Sequence, residues 1–359
     1  MKKFTLLAAA VSLLTGTVHA QTSVTVYGLL DLGVESLTNV GSTGSSSHSL
    51  TQMASGNLSG SRLGFRGTED IGGGNSALFV LEQGFNLDTG VLGQGGRVFG
   101  RQAFVGLAGS YGKVTLGRQQ NTMYDLLIKY DPMGFASRYS ALTHDDVLAG
   151  RADNVIKYTG TFGALTATAF YSFGRDAVDT LSGTTFAGEV PGNPKVARNI
   201  GGGLNYESGP FGIGIMYDQY QGNTIETQDA SARRLALATS YKWGDFTGFL
   251  AYRRLKDNVD PAHSMIRSDL YWAGVTYQLN PRLSLTAVAY RTNFEDTSAD
   301  PSSYVLNALY NMSKRTELYG VLGFARNRDG SNMGINGFGL NIAANENQTG
   351  VVLGVRHVF

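Results

Sequence analysis

Residues 24 to 35 alternate strictly with a period of two. Val24, Val26, Gly28, Leu30, Leu32 and Val34 fall on one face. Thr25, Tyr27, Leu29, Asp31, Gly33 and Glu35 fall on the other, which is mostly polar. Only an extended strand sends successive side chains to opposite faces. The run is longer than the usual five or six residues of a globular strand. About nine to eleven residues, strongly tilted, cross a bilayer. The far end of the chain repeats the pattern: Val351, Leu353, Val355, His357 and Phe359 share one face, and Val352, Gly354, Arg356 and Val358 the other.

Between these ends the chain reads as hairpins with two kinds of connection. Tight ones, at 72–75, 110–112, 162–163, 208–210, 243–245, 280–282 and 313–315, use Gly, Asn, Asp, Pro and Ser, which supply turn conformations. Long polar ones, at 38–57, 88–96, 119–153, 175–197, 221–230, 257–266, 294–302 and 327–347, take turns with them. Outer-membrane barrels show this asymmetry, and bacterial ones have an even strand number. The segments predict about sixteen strands, aromatic girdles near the strand ends, and an all-β, antiparallel transmembrane barrel. Closure removes every open edge, which lipid demands. A soluble sandwich of this length would need several separate cores.

Composition agrees. Charged residues make up 16% of the chain, against roughly 25% in soluble proteins. No apolar run after residue 20 is long enough for a membrane helix. With no cysteine there is no disulfide scaffold, thiolate metal site or Cys nucleophile. A formal charge of +1 gives no support to a nucleic-acid partner. Residues 1–20 read as a secretory signal peptide: a basic Met1-Lys2-Lys3, an apolar Phe4 to Leu14, and small residues before a cut after Ala20. Its removal takes the formal charge to −1. The mature chain, 21–359, is expected to be a single barrel domain.

Five stretches then carry a resemblance: Ser23-Val24-Thr25-Val26-Tyr27-Gly28, Ser61-Arg62-Leu63-Gly64-Phe65-Arg66-Gly67-Thr68-Glu69-Asp70-Ile71-Gly72-Gly73-Gly74, Arg101-Gln102-Ala103-Phe104-Val105-Gly106-Leu107, Leu116-Gly117-Arg118-Gln119 and Gly354-Val355-Arg356-His357-Val358-Phe359. In this order the chain resembles the general porins of Gram-negative outer membranes, especially those of β-proteobacteria. The resemblance implies a sixteen-stranded barrel, a homotrimer and a water-filled pore. It also implies that the third long loop, here 119–153, folds inward and narrows that pore. The family's Pro-Glu-Phe-Gly loop motif is absent, and Asp131-Pro132-Met133-Gly134-Phe135 stands at a comparable place. A terminal Phe after alternating apolar residues implies recognition by the outer-membrane assembly machinery, with Val351, Leu353, Val355, His357 and Phe359 as the signal. The expected surroundings are outer-membrane lipid and lipopolysaccharide.

A pore needs a polar lumen, a narrow point and charge placed there. Leu63 and Phe65 share one face of their strand, so Arg62 and Arg66 take the other. An arginine facing lipid costs about 2–4 kcal/mol, so that other face is the lumen. Parity with Phe79 and Leu81 puts Glu82 inside, and the family pattern puts Arg101 at the wall. Asp125 and Asp131 lie early in the third loop, Arg138 and Arg151 later. These eight residues are the expected constriction: a row of arginines partly opposed by Asp131, Asp125 and Glu82, favouring anions mildly. Arg118 falls on the lipid face by parity, so a bulge or a place above the apolar band is expected there.

Other chemistry is sparse. Four His residues remain after the leader, with no metal-ligand spacing. His144-Asp145-Asp146 reads as solvated loop charge. The glycines of 41–47 form a surface loop, and Gly201-Gly202-Gly203 suits close backbone approach inside a strand. No Ser–His–Asp set stands out. The reading is a non-enzymatic channel without cofactor or metal, passing ions and small hydrophilic solutes. The alternatives are a substrate-specific channel, a barrel hydrolase with loop catalysis, and an adhesin.

Overall fold

The structure is a computed structural model that describes residues 23–41, 48–175, 189–259, 265–338 and 342–359. The expected leader, most of the glycine-rich 41–47 stretch and parts of three long loops lie outside these residues.

In chain order the strands are β1 (Ser23–Val40), β2 (His48–Ser55), β3 (Arg62–Gly72), β4 (Asn75–Gly84), β5 (Gln102–Gly109), β6 (Gly112–Gln120), β7 (Arg151–Phe162), β8 (Leu165–Ser172), β9 (Asn199–Ser208) and β10 (Phe211–Gln221). They continue with β11 (Ser231–Trp243), β12 (Phe246–Asp257), β13 (Ile266–Asn280), β14 (Leu283–Phe294), β15 (Ser302–Asn311), β16 (Thr316–Arg326), a two-residue pair β17 (Met333–Gly334) and β18 (Gly337–Phe338), and β19 (Gln348–Val358). Each main strand pairs antiparallel with its sequence neighbour, and β19 pairs with both β16 and β1. The sheet therefore closes. At the seam Gly28 and Phe359 exchange backbone hydrogen bonds of 3.0 and 3.1 Å. Because β2 and β3 together form one interrupted stave, the barrel has sixteen strands.

The interruption is a difference from the sequence reading, which had 38–57 as one loop. His48–Ser55 is instead a strand on β1. It carries no apolar stripe, so alternation does not reveal it. Asp31 fixes the break: its carboxylate accepts from the backbone N–H of Leu58 at 2.8 Å and Ser59 at 2.7 Å, and from the Tyr319 hydroxyl at 2.6 Å.

Side chains alternate across the wall. On β10, Ile213, Ile215 and Tyr217 are exposed outward while Met216, Asp218 and Tyr220 are buried inward. Buried arginines and carboxylates lie on the inward parity, where polar partners replace water. At the turn end Trp243, Phe246 and Tyr277 stack outside, with centroids 5.9 and 4.4 Å apart. Not every aromatic expected in a girdle is there. Trp272, Tyr290 and Tyr319 point inward and are buried.

They are buried because the third long loop packs against the inner wall. It opens with α1 (Thr122–Leu127), whose N-cap is Asn121: its side-chain oxygen accepts from the Tyr124 N–H at 2.9 Å. Met123, Leu126, Leu127 and Tyr130 of this segment bury against Met216, Ala236, Leu270 and Trp272 of the wall. Gly201 and Gly203 make room for α1. A Cβ on Gly203 would sit 2.6 Å from the Leu126 side chain, and one on Gly201 would sit 2.5 Å from the Thr122 hydroxyl. One side of the lumen is thus filled by loop, and the β3 to β7 side is left open.

Candidate functional site: an arginine-lined opening

The open side holds a space of 690 Å³ between wall and loop. From the wall come Arg62 at the start of β3, Arg101 just before β5 and Arg151 at the start of β7. From the loop comes Arg138, beside Tyr124, Ile128 and Phe135. Among the described residues the lining contains no Asp or Glu.

Backbone carbonyls hold these guanidinium groups in place. Arg62 Nε donates to the Gly60 carbonyl at 3.0 Å, and Arg151 Nε to the Arg101 carbonyl at 3.1 Å. Among the described residues neither Arg62 nor Arg151 has a carboxylate within ion-pair distance. Arg101 Nε donates to Glu82 Oε1 at 2.7 Å, and the Tyr27 hydroxyl donates to the other oxygen at 3.0 Å. Arg138 pairs with Glu35, which also accepts from Tyr139 at 2.8 Å and Gln52 at 2.8 Å. Both Glu82 and Glu35 are buried behind the arginines they serve.

Of the eight residues predicted from sequence, four meet at this opening and Glu82 supports it from behind. Arg66 lies farther along the same face toward the turn end, over the Tyr27 ring at 5.1 Å, and does not line the space. The expected opposition of Asp125 and Asp131 to the arginines does not form. Asp125 accepts from Lys157 Nζ at 2.6 Å. Asp131 is buried beneath the loop, where it accepts from the Tyr290 hydroxyl at 2.5 Å and from the backbone N–H groups of Met133, Phe135 and Ala141 at 3.1 to 3.3 Å. Its carboxylate ties the turn of the loop to β14. Such a tie needs partners far apart in sequence, which spacing cannot show.

Arg118 sits at a bulge, the first of the two expected alternatives. Gly117 has a φ of 127°, the β6–β7 register shifts beside it, and Arg118 is buried. Its Nε donates to the Gly100 carbonyl at 2.7 Å and it pairs with Asp153 at 2.7 Å.

The His144-Asp145-Asp146 segment corrects the sequence reading in another way, since two of the three are anchors rather than solvated charge. His144 lies between Thr292 Oγ1 and Ser303 Oγ, each 2.8 Å from a ring nitrogen. Burial, with Arg253 beside it, lowers its pKa to about 3, so the ring is neutral at ordinary pH. Asp145 forks onto Arg234 at 2.9 and 3.0 Å and meets Arg253 at 2.9 Å. Against the cost of its burial, these two cations hold its carboxyl below the usual range. Trp272 Nε1 donates to the Tyr130 carbonyl at 2.9 Å. Sequence reasoning missed Glu35, Tyr139, Trp272, Tyr290 and Arg253. The available signal was large aromatics on the inward parity of β13 and β14, where something must cover them.

The expected assembly residues Val351, Leu353 and Val355 are exposed on the outer face, and Phe359 is exposed at the seam. Among the described residues no three of His, Asp and Glu converge as a metal site.

Comparison with known proteins agrees with this geometry. The sequence matches the Gram-negative porin family over residues 5–330. It is 33% identical to outer membrane porin protein 32 of Delftia acidovorans, over the full length of both chains. It is 29% identical, again over the full length of both, to an outer membrane porin protein of Bordetella pertussis. Among solved structures it superposes on an anion-selective porin from Comamonas acidovorans with a TM-score of 0.78 and 28% identity, covering 94% of this chain and 100% of that one. A loop L8 deletion mutant of OmpT from Vibrio cholerae shares the fold, with a TM-score of 0.64 at 16% identity, covering 94% and 99%. The chain therefore belongs to the Gram-negative porin family, as a multi-pass β-barrel of the outer membrane that acts as a passive channel.

Proposed function

We propose that this porin is a homotrimeric, anion-preferring diffusion channel for ions and small hydrophilic solutes, narrowed at Arg62, Arg101, Arg138 and Arg151. The observation that carries the reading is a lining with four guanidinium groups and, among the described residues, no carboxylate. The two carboxylates behind it leave an excess of positive charge, and charge rings of one sign select ions of the other. The anion-selective relative agrees in sign. Arg66 adds positive charge along the path, and Asp125 and Asp131 act by fixing the loop rather than by opposing the arginines. The reading includes no catalytic step. Residues 1–20 act as the export signal, and Val351, Leu353, Val355, His357 and Phe359 present the apolar edge read by the assembly machinery.

The test is the reversal potential of single channels in a salt gradient across a planar bilayer. Anion preference is expected, and it falls in Arg62→Ala and Arg101→Ala. A cation-preferring wild type, or two variants that match it, would remove these arginines from the constriction.

A further inference from the structure

The loop segment that narrows the channel is apolar on two faces. Met123, Leu126, Leu127 and Tyr130 bury against the wall. Tyr124 and Ile128, one helical turn apart, take the other side. Both are only partly buried, as is Leu142 where the loop returns. All three line the opening, beside Phe135. Apolar side chains scattered singly over a wetted surface need no explanation, whereas several gathered in one hollow mark a ligand surface. Phe135 reaches this place at a backbone cost. Its φ of 51° lies in the left-handed region that a bulky residue rarely adopts. The Asp131 carboxylate holds it there, accepting the Phe135 N–H at 3.3 Å. The ring then sits 6.2 Å from that of Tyr124, tilted by 52°.

Arg62 and Arg151 stand beside this face, and each interacts electrostatically with Tyr124. Among the described residues, the protein engages only the Nε–H of each, through the Gly60 and Arg101 carbonyls. A guanidinium carries five N–H donors in a fixed fork. The terminal nitrogens of both are therefore left to bind something in the opening. The opening's 690 Å³ also lies within the roughly 300–1,000 Å³ of small-molecule sites.

We infer, resting on the channel reading above, that the opening holds a saturable subsite for small amphipathic carboxylates, with arylacetates as the best fit. Arg62 and Arg151 take the carboxylate, as a charge-assisted fork. Tyr124, Ile128, Phe135 and Leu142 take the ring. Both halves are needed to define the class. An inorganic anion or a short polar acid uses only the guanidinium half, and a neutral aromatic only the apolar half. Binding in a conducting path must also be weak enough to release, so the subsite slows and enriches its ligand without plugging the channel.

The test is block of single-channel chloride current by phenylacetate, acetate and phenylacetamide. Phenylacetate should half-block at a concentration at least about fivefold below that of acetate, a difference of about 1 kcal/mol. Phenylacetamide, which keeps the ring and loses the charge, should block more weakly than phenylacetate. Tyr124→Gln with Ile128→Gln should bring the two acids toward equality, Tyr124→Phe should keep them apart, and Arg62→Ala should weaken both. Leu142→Gln, outside the helix, should narrow the difference as well, and it decides the matter if the helix variant fails to insert. Equal half-block by the two acids in wild type, phenylacetamide as potent as phenylacetate, or an undiminished difference in either Gln variant would overturn the proposal. The wild-type reversal potential, read on the same channels, keeps the two claims apart. Anion preference with equal block by both acids removes the subsite and leaves the channel reading standing, whereas cation preference removes both.

Discussion

Replacing Arg62 by Ala takes one positive charge from the opening, and among the described residues no partnered carboxylate is left behind. An ion passing about 5 Å from that charge in water-like surroundings feels roughly 0.8 kcal/mol. Salt at 0.1 M, with a Debye length of about 10 Å, reduces this to roughly 0.5 kcal/mol. An anion loses that much and a cation gains it, so the permeability ratio falls about fivefold. A channel passing ten anions per cation and one passing two differ by roughly 27 mV in a tenfold gradient, on a scale whose ideal limit is about 59 mV. Arg62→Lys keeps the charge and should hold most of the potential. Arg101→Ala should move it at least as far, because it removes a cation and uncovers Glu82, its 2.7 Å partner. The readout is reversal potential, with conductance measured on the same channels. An Arg62→Ala channel of normal conductance and unchanged reversal potential would refute the reasoning.

Glu82→Gln should strengthen anion preference, since it removes a carboxylate that now offsets Arg101, and the same bilayer measurement reads it. Asp145→Ala leaves Arg234 and Arg253 buried without their partner, a loss of about 3–5 kcal/mol. The loop should loosen, seen as noisier, larger single-channel currents and earlier cleavage within 121–150 by added protease; quiet, wild-type currents would count against the anchor. Burial holds His144 neutral down to about pH 3, whereas an unfolded His protonates near 6.5. The depressed value means that its contribution is complete above about pH 6.5 and is lost as pH falls toward 3, at no more than about 1.4 kcal/mol per pH unit. Thermal unfolding in detergent should therefore show a steeper decline from pH 6 to 4 in wild type than in His144→Asn, and equal slopes would exclude this origin. Removing Phe359 should lower the amount of porin inserted in cells while leaving folding into detergent largely intact; equal losses in both would make the residue structural only.

Period-two alternation made the barrel legible, because lipid on one side and water on the other leave little freedom of register. Alternation failed at His48–Ser55, where both faces are polar and pairing to β1 decides. The wall arginines were legible for the same reason as the strands: parity alone turns Arg62 inward. The loop's carboxylates were not. Whether Asp131 faces the lumen depends on Tyr290, 159 residues away, and whether Asp125 is neutralised depends on Lys157. Composition counted these carboxylates as charge available to the pore, whereas the fold uses them to pin a loop. Glu35 shows the converse. It looked like one more polar position of the first strand, yet it gathers Arg138, Tyr139 and Gln52.

Conduction through this barrel requires water to reach the arginine row inside a closed wall. The chain has no cysteine, so a single introduced thiol reports cleanly on where water is. Single-channel current should drop in steps when a charged, membrane-impermeant thiol reagent meets Arg62→Cys, and stay level for its neighbour Leu63→Cys. Level current at position 62, or the same drop at both positions, would contradict it.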